Sequence, residues 1–293
     1  MKRSEENDLD DYTKRKKLTI YGWLGIPVWL LTSIFAMFIM LVAIGLMQAA
    51  GFATFITMTN GAPNVDMTGI MLLSVSFGML AYPLIWCFPF ARRQNRFVHG
   101  YGIRNLKERL HCATNGHAWM KGIGIGILCG LATTVAMTLL SLASNPILEG
   151  RNQDDTTTGM VVKAAESLRN ASSPYFMASL AMVISAFLIG PICEELLFRG
   201  LIGMSFRDSN MFRKFDGNAR KVMICVLSGA LFGLLHFQGG DPVVSVATMM
   251  FTGIIGTWFS WLALYRFDSV VPTMAAHVTY NSVAVILSIV AGI

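Results

Sequence analysis

Long apolar runs separated by short polar segments set the rhythm of this chain. About 20 helical residues at ~1.5 Å each cross the ~30 Å hydrocarbon core of a bilayer. The pattern predicts seven such spans, at about 21–50, 68–90, 122–143, 175–206, 222–237, 243–265 and 272–293. Met160 to Leu168, with apolar positions at helical spacing beside Lys163 and Glu166, is a candidate eighth segment lying along the interface. The expected fold is therefore all-α, a polytopic transmembrane helix bundle of about 7–8 spans. Local signals refine it. Pro83 marks a kink in the second span, and Pro272 suits the first turn of the last one. Gly122, Gly126 and Gly130, four residues apart, predict a face on which another helix approaches closely.

Composition agrees with the pattern. Apolar residues make up 54% and charged residues 14%, which excludes an ordinary soluble globule. The formal net charge of +6 is carried in clusters. Lys14-Arg15-Lys16-Lys17 closes a polar N-terminal tail, residues 1–20. The loop 91–121 holds Arg92, Arg93, Arg96, Arg104, Lys107, Arg109 and Lys121 against Glu108 as its one acid, and the fourth span exits into Arg207, Arg213, Lys214, Arg220 and Lys221. By the positive-inside rule the tail and both loops are cytoplasmic. The chain divides into that tail, N-terminal transmembrane helices over 21–173, and a core over 174–293. No basic patch is interleaved with aromatics, so no nucleic-acid partner is expected. The five cysteines, Cys87, Cys112, Cys129, Cys193 and Cys225, form no CxxC pair and read as small buried hydrophobes. His99, His111 and His117 show no metal-binding spacing.

Ionisable groups at membrane depth are costly, and by default they mark function. This reading buries Glu194, Glu195, Arg199, His236 and His277, on three helices of the core. Glu195 and Arg199 are four apart, so they share a face with the acid N-terminal to the base, the favourable order for an ion pair. Glu194 is rotated ~100° away and is left to face something else. His277 and Asn281 are also four apart, pointing into one space. Counted from the basic inner ends at ~1.5 Å per residue, Glu194 lies ~18 Å deep, His236 ~24 Å and Asn281 ~14 Å, close enough for a shared polar intramembrane cavity. A carboxylate beside an imidazole can deprotonate a trapped water for attack on an amide carbonyl. Imidazole and carboxamide N–H groups can bind the oxyanion that develops. Cys193, beside Glu194, is the rival nucleophile to test.

Glu194-Glu195-xxx-Arg199, Phe232-xxx-His236 and His277-xxx-Asn281, in order on separate spans, resemble the three motifs of the CPBP family of intramembrane proteases. That family includes the type II CAAX prenyl endopeptidases and bacterial relatives in peptide processing and bacteriocin immunity. The resemblance covers about Tyr175 to Ile293. It implies a glutamic endopeptidase in which Glu194 activates water with His236. It further implies that His277 and Asn281 hold the oxyanion and that Glu195 and Arg199 form a supporting pair. No cofactor is implied. The expected partners are the bilayer and a membrane-associated peptide or protein substrate, with the plasma membrane of a bacterium as the location. Three alternatives use the same residues: a non-catalytic immunity or regulatory protein, a proton-coupled transporter, and a zinc hydrolase built on Glu194, His236 and His277. The last lacks the HExxH pattern.

Overall fold

Where two helices approach closely, glycine is the residue that permits it, because a Cβ would strike the opposite backbone. The computed structural model describes residues 2–50, 56–59, 62–65, 74–75, 78, 116–151, 161, 164–165, 168, 176–237 and 241–291. Among them are α1 (Lys2–Ala49), a short antiparallel hairpin of β1 (Ile56–Thr59) and β2 (Ala62–Val65), and α2 (Gly116–Leu148). The core contributes α3 (176–208), α4 (Gly217–Leu234), α5 (Pro242–Trp261, extended by the wide turn Leu262–Arg266) and α6 (Val271–Ala291). Among the described residues, four helical stretches are long and apolar enough to cross a membrane: Gly22–Leu46, Met120–Leu148, Ser179–Asp208 and Pro242–Arg266. The protein is an integral membrane protein built as a helical bundle. Most of the expected second span and of the basic loop 91–121 lies outside the described residues.

Two glycine faces join the helices in pairs. A Cβ on Gly126 or Gly130 of α2 would meet the Pro272 or Ala276 carbonyl of α6, while Gly122 has ordinary room. The expected close approach therefore occurs, through two of the three glycines. The second face, between α4 and α5, sets Gly229 and Gly233 against Gly253, Met249 and Thr257.

Helix α3 runs through the centre, with Leu197, Phe198, Ile202, Met204 and Phe206 almost fully buried. It is not a uniform α-helix. Ser185–Ile189 and Glu195–Gly203 are wider π turns flanking Gly190–Glu194, a feature often found at functional sites. Pro191 supplies one cause, having no N–H to return to the preceding turn. Helix α1 lies along the C-terminal half of α3, where Gly22 and Trp23 meet Phe206, the Trp23 and Phe206 rings 5.2 Å apart.

The segment after α3 is held by arginine. Arg220 donates from Nε to the Met211 carbonyl at 2.9 Å and from Nη2 to those of Arg207 and Ser209 at 2.8 Å. Arg207 binds Asp208, Asp268 and the Leu264 carbonyl. Two bases of the expected cytoplasmic loop are thus structural ties. The polar tail is continuous with the first span as one helix, α1, and the hairpin follows it. Asn60-Gly61, between the two strands in sequence, is the dipeptide favoured in two-residue hairpins.

Candidate active site

A buried arginine must be both paired and stacked, since an unpaired charge at this depth costs several kcal/mol. Arg199 satisfies both demands. Its Nη1 lies 2.9 Å from Oε1 of Glu195, and neither side chain is exposed. Nη2 reaches the Gly256 carbonyl of α5 at 3.3 Å. The guanidinium sits 4.4 Å over the Phe232 ring and 5.8 Å from that of Phe259. A planar guanidinium suits such a mixed polar and aromatic niche, where lysine would not.

The pair also positions a histidine. His277 Nδ1 lies 3.0 Å from Glu195 Oε1. An ionised carboxylate only accepts, so Nδ1 donates the proton. This turns Nε2 toward Oε2 of Glu194, 3.7 Å away, which is too long for a hydrogen bond but close for a charged contact. The rings of Phe232 and Phe259 wall the imidazole at 6.0 and 5.7 Å. The adjacent carboxylates have therefore separated in character: Glu195 is sealed, whereas the Glu194 side chain keeps 18% of its surface open.

His236 lies just past the end of α4, in a turn, and not within the span as expected. Its backbone N–H reaches Gly233, and its ring lies 4.4 Å from that of Phe232. Nδ1 is 2.8 Å from the Phe232 carbonyl, which can only accept. That contact assigns the ring proton to Nδ1 and leaves Nε2 as an acceptor when the imidazole is neutral. Among the described residues no hydrogen bond or ion pair joins His236 to Glu194. The rings of His236 and His277 and the Arg199 guanidinium all meet Phe232, a residue that spacing alone did not single out.

Asn281 departs further from expectation. Its Nδ2 donates to the Ala186 carbonyl of α3 at 2.9 Å. The wide turn explains this contact. The N–H of Gly190 returns five residues to Ser185, and the next link would run from residue 191 to Ala186. Proline at 191 cannot make it, so the orphaned carbonyl takes the Asn281 carboxamide. His277 and Asn281 thus both face α3, one toward the acids and the other toward the backbone. Cys193 is buried beneath the site.

Residues 176–283 match the family model described as type II CAAX prenyl endopeptidase, Rce1-like. Over this stretch, less than half of the chain, the sequence is similar to that family. No match was found among curated proteins or among solved structures. The matched stretch contains Glu194, Glu195, Arg199, His236, His277 and Asn281. The match supports CAAX-type membrane protease activity in general, a hydrolase acting on protein or peptide substrates. Among the described residues, no three His, Cys, Asp or Glu side chains are grouped to hold a metal ion.

Proposed function

We propose that the Rce1-like stretch is a glutamic-type endopeptidase that cleaves a peptide bond at the membrane with water as the nucleophile. Glu194 accepts a proton from that water as its oxygen attacks the scissile carbonyl carbon. His236 orients the water through Nε2. His277, as the doubly protonated imidazolium, keeps Nδ1–H on Glu195 and donates Nε2–H to the oxyanion, aided by the second N–H of the Asn281 carboxamide. The proton held by Glu194 then passes to the leaving nitrogen as the C–N bond breaks. Glu195 and Arg199 touch no substrate; they hold His277 and α3 in place.

The observation carrying this reading is the unequal environment of the adjacent acids. A sealed and paired Glu195 is unfit to meet a substrate, whereas a partly open Glu194 beside an imidazole is suited to general-base work. No metal or other cofactor has a part in the scheme. The substrate is a membrane-associated peptide or protein, prenylated where the host prenylates proteins. The location is a bacterial plasma membrane with the N-terminus cytoplasmic, which the basic inner segments favour.

The test uses the full chain in lipid nanodiscs with membrane-anchored CAAX peptides, prenylated and unprenylated. Cleavage should survive a tight zinc chelator and vanish in Glu194→Gln. Loss of cleavage with the chelator would replace the scheme by a metal mechanism, and an active Glu194→Gln would remove Glu194 as the base. Failure to cut any of the CAAX peptides would reject that substrate class.

A further inference from the structure

Basic residues at the inner end of a span have two uses, tying the chain to itself or meeting the anionic lipid surface, and contacts distinguish them. The bases around the connection between α3 and α4 differ in use, Lys221 lying 5.8 Å over the Tyr265 ring. Arg207 and Arg220 are spent on backbone carbonyls and on Asp208 and Asp268. Arg213 and Lys214 are exposed, and among the described residues neither pairs with a carboxylate. The nearest acid in sequence, Asp216, already accepts the amides of Asn218 and Ala219 at 3.0 and 2.7 Å as the cap of α4.

These two bases line a cavity of about 450 Å³ together with Asn210, Phe212 and Phe215. The cavity is a shallow one, open on the side away from the chain. The cavity has a firm frame. Backbone bonds run from Arg213 to Asn210 and from Phe215 to Phe212, and Arg220 fixes the carbonyls on its near side. Phe212 is held at φ 54°, a left-handed conformation unusual for a bulky residue, with its ring edge against Phe215. The apolar stretch of α3 ends at Asp208, and the cavity lies just beyond that end. Phe215 is half exposed there, a large apolar side chain beside two unspent cations.

We propose that this cavity binds the phosphate of an anionic membrane lipid. Arg213 and Lys214 hold the phosphate oxygens, and Phe212 and Phe215 lie against the glycerol and the upper acyl chain. An aromatic pair adds little for a free anion but suits an amphiphile, which favours the lipid over soluble phosphate. The proposal is independent of the protease scheme.

Native mass spectrometry and thermal melting of the full chain provide the test, in nanodiscs of pure phosphatidylcholine or with one-third phosphatidylglycerol. Phosphatidylglycerol should remain bound to the wild-type chain and raise its melting temperature. Retention should weaken about tenfold in Arg213→Gln/Lys214→Gln, with the melting shift lost. Lys121→Gln, which removes an exposed base at the inner end of α2, should leave both unchanged. The proposal is overturned if the double variant keeps the lipid, if Lys121→Gln loses it equally, or if no shift occurs. It is likewise overturned if inorganic phosphate in neutral nanodiscs reproduces the shift.

Discussion

A carboxylate and a guanidinium without solvent exposure cost most when one is left alone. Removing one partner of a buried pair typically destabilises by about 3–5 kcal/mol, while replacing both by apolar groups is often close to neutral. Glu195→Ala should therefore lower stability by that order and lower activity with it, since His277 loses its anchor. Glu195→Leu/Arg199→Met should melt closer to wild type than either single variant, yet remain inactive. Chemical or thermal denaturation in nanodiscs reads the first outcome, and a double-variant recovery no better than the singles would contradict the pair's role. Glu194→Gln, nearly isosteric, should leave melting unchanged. At this scale the sequence was informative, because four-residue spacing assigns Arg199 to Glu195 and leaves Glu194 over. It did not reveal His277 standing between the two acids, which depends on how α6 docks against α3.

Helices bring a different kind of dependence, since one residue's backbone decides another's side chain. Asn281 satisfies a carbonyl that Pro191 leaves open. Asn281→Ala should therefore destabilise by about 1–3 kcal/mol, the cost of an unmet, partly buried carbonyl. Pro191→Ala, which restores an N–H, should rescue much of that loss in the double variant. Additive effects would show that the carboxamide does not serve that carbonyl. The glycine faces give a sharper contrast. Gly130→Ala forces a Cβ onto the Ala276 carbonyl and should cost about 1–3 kcal/mol, whereas Gly124→Ala enters open space and should be tolerated. Equal melting temperatures would rule out close packing of α2 on α6. The α2 face was readable as three glycines at regular spacing. Gly229 and Gly233 have the same four-residue spacing on a shorter helix. The π turns, and the position of His236 beyond α4, were not legible, since a 3.6-residue period does not reveal where a helix widens or stops.

The whole molecule is closed by contacts far apart in sequence. Arg151, after α2, grips Asp241 at 2.8 and 3.1 Å, and Asp241 also caps α5 through Val243 and Val244. The hydrogen bonds from Arg151 lead the interactions that hold the Asp241 carboxyl below its usual 3.8. A depressed folded-state pKa contributes stability that is fully present above the usual value and is lost as pH falls through the lower one. Asp241→Asn keeps a capping side chain but loses the charge. Its melting deficit should be constant near neutrality and close at acid pH; a deficit independent of pH would assign it to the cap alone. Apolar run lengths made the bundle legible at this scale, and the Rce1-like stretch was outlined by its motifs. The sheathing of α3 by α1 was hidden, because Gly22 and Trp23 look like ordinary features of a span. The account stands or falls on hydrolysis that depends on Glu194. The direct measurement is the membrane and secreted peptidome of cells carrying wild type, Glu194→Gln or His236→Ala at matched expression. The account predicts a cleaved product present with wild type and missing with both variants. Identical peptidomes, with either variant rescuing the phenotype of a deletion, would mean that the protein works by binding and not by cleavage.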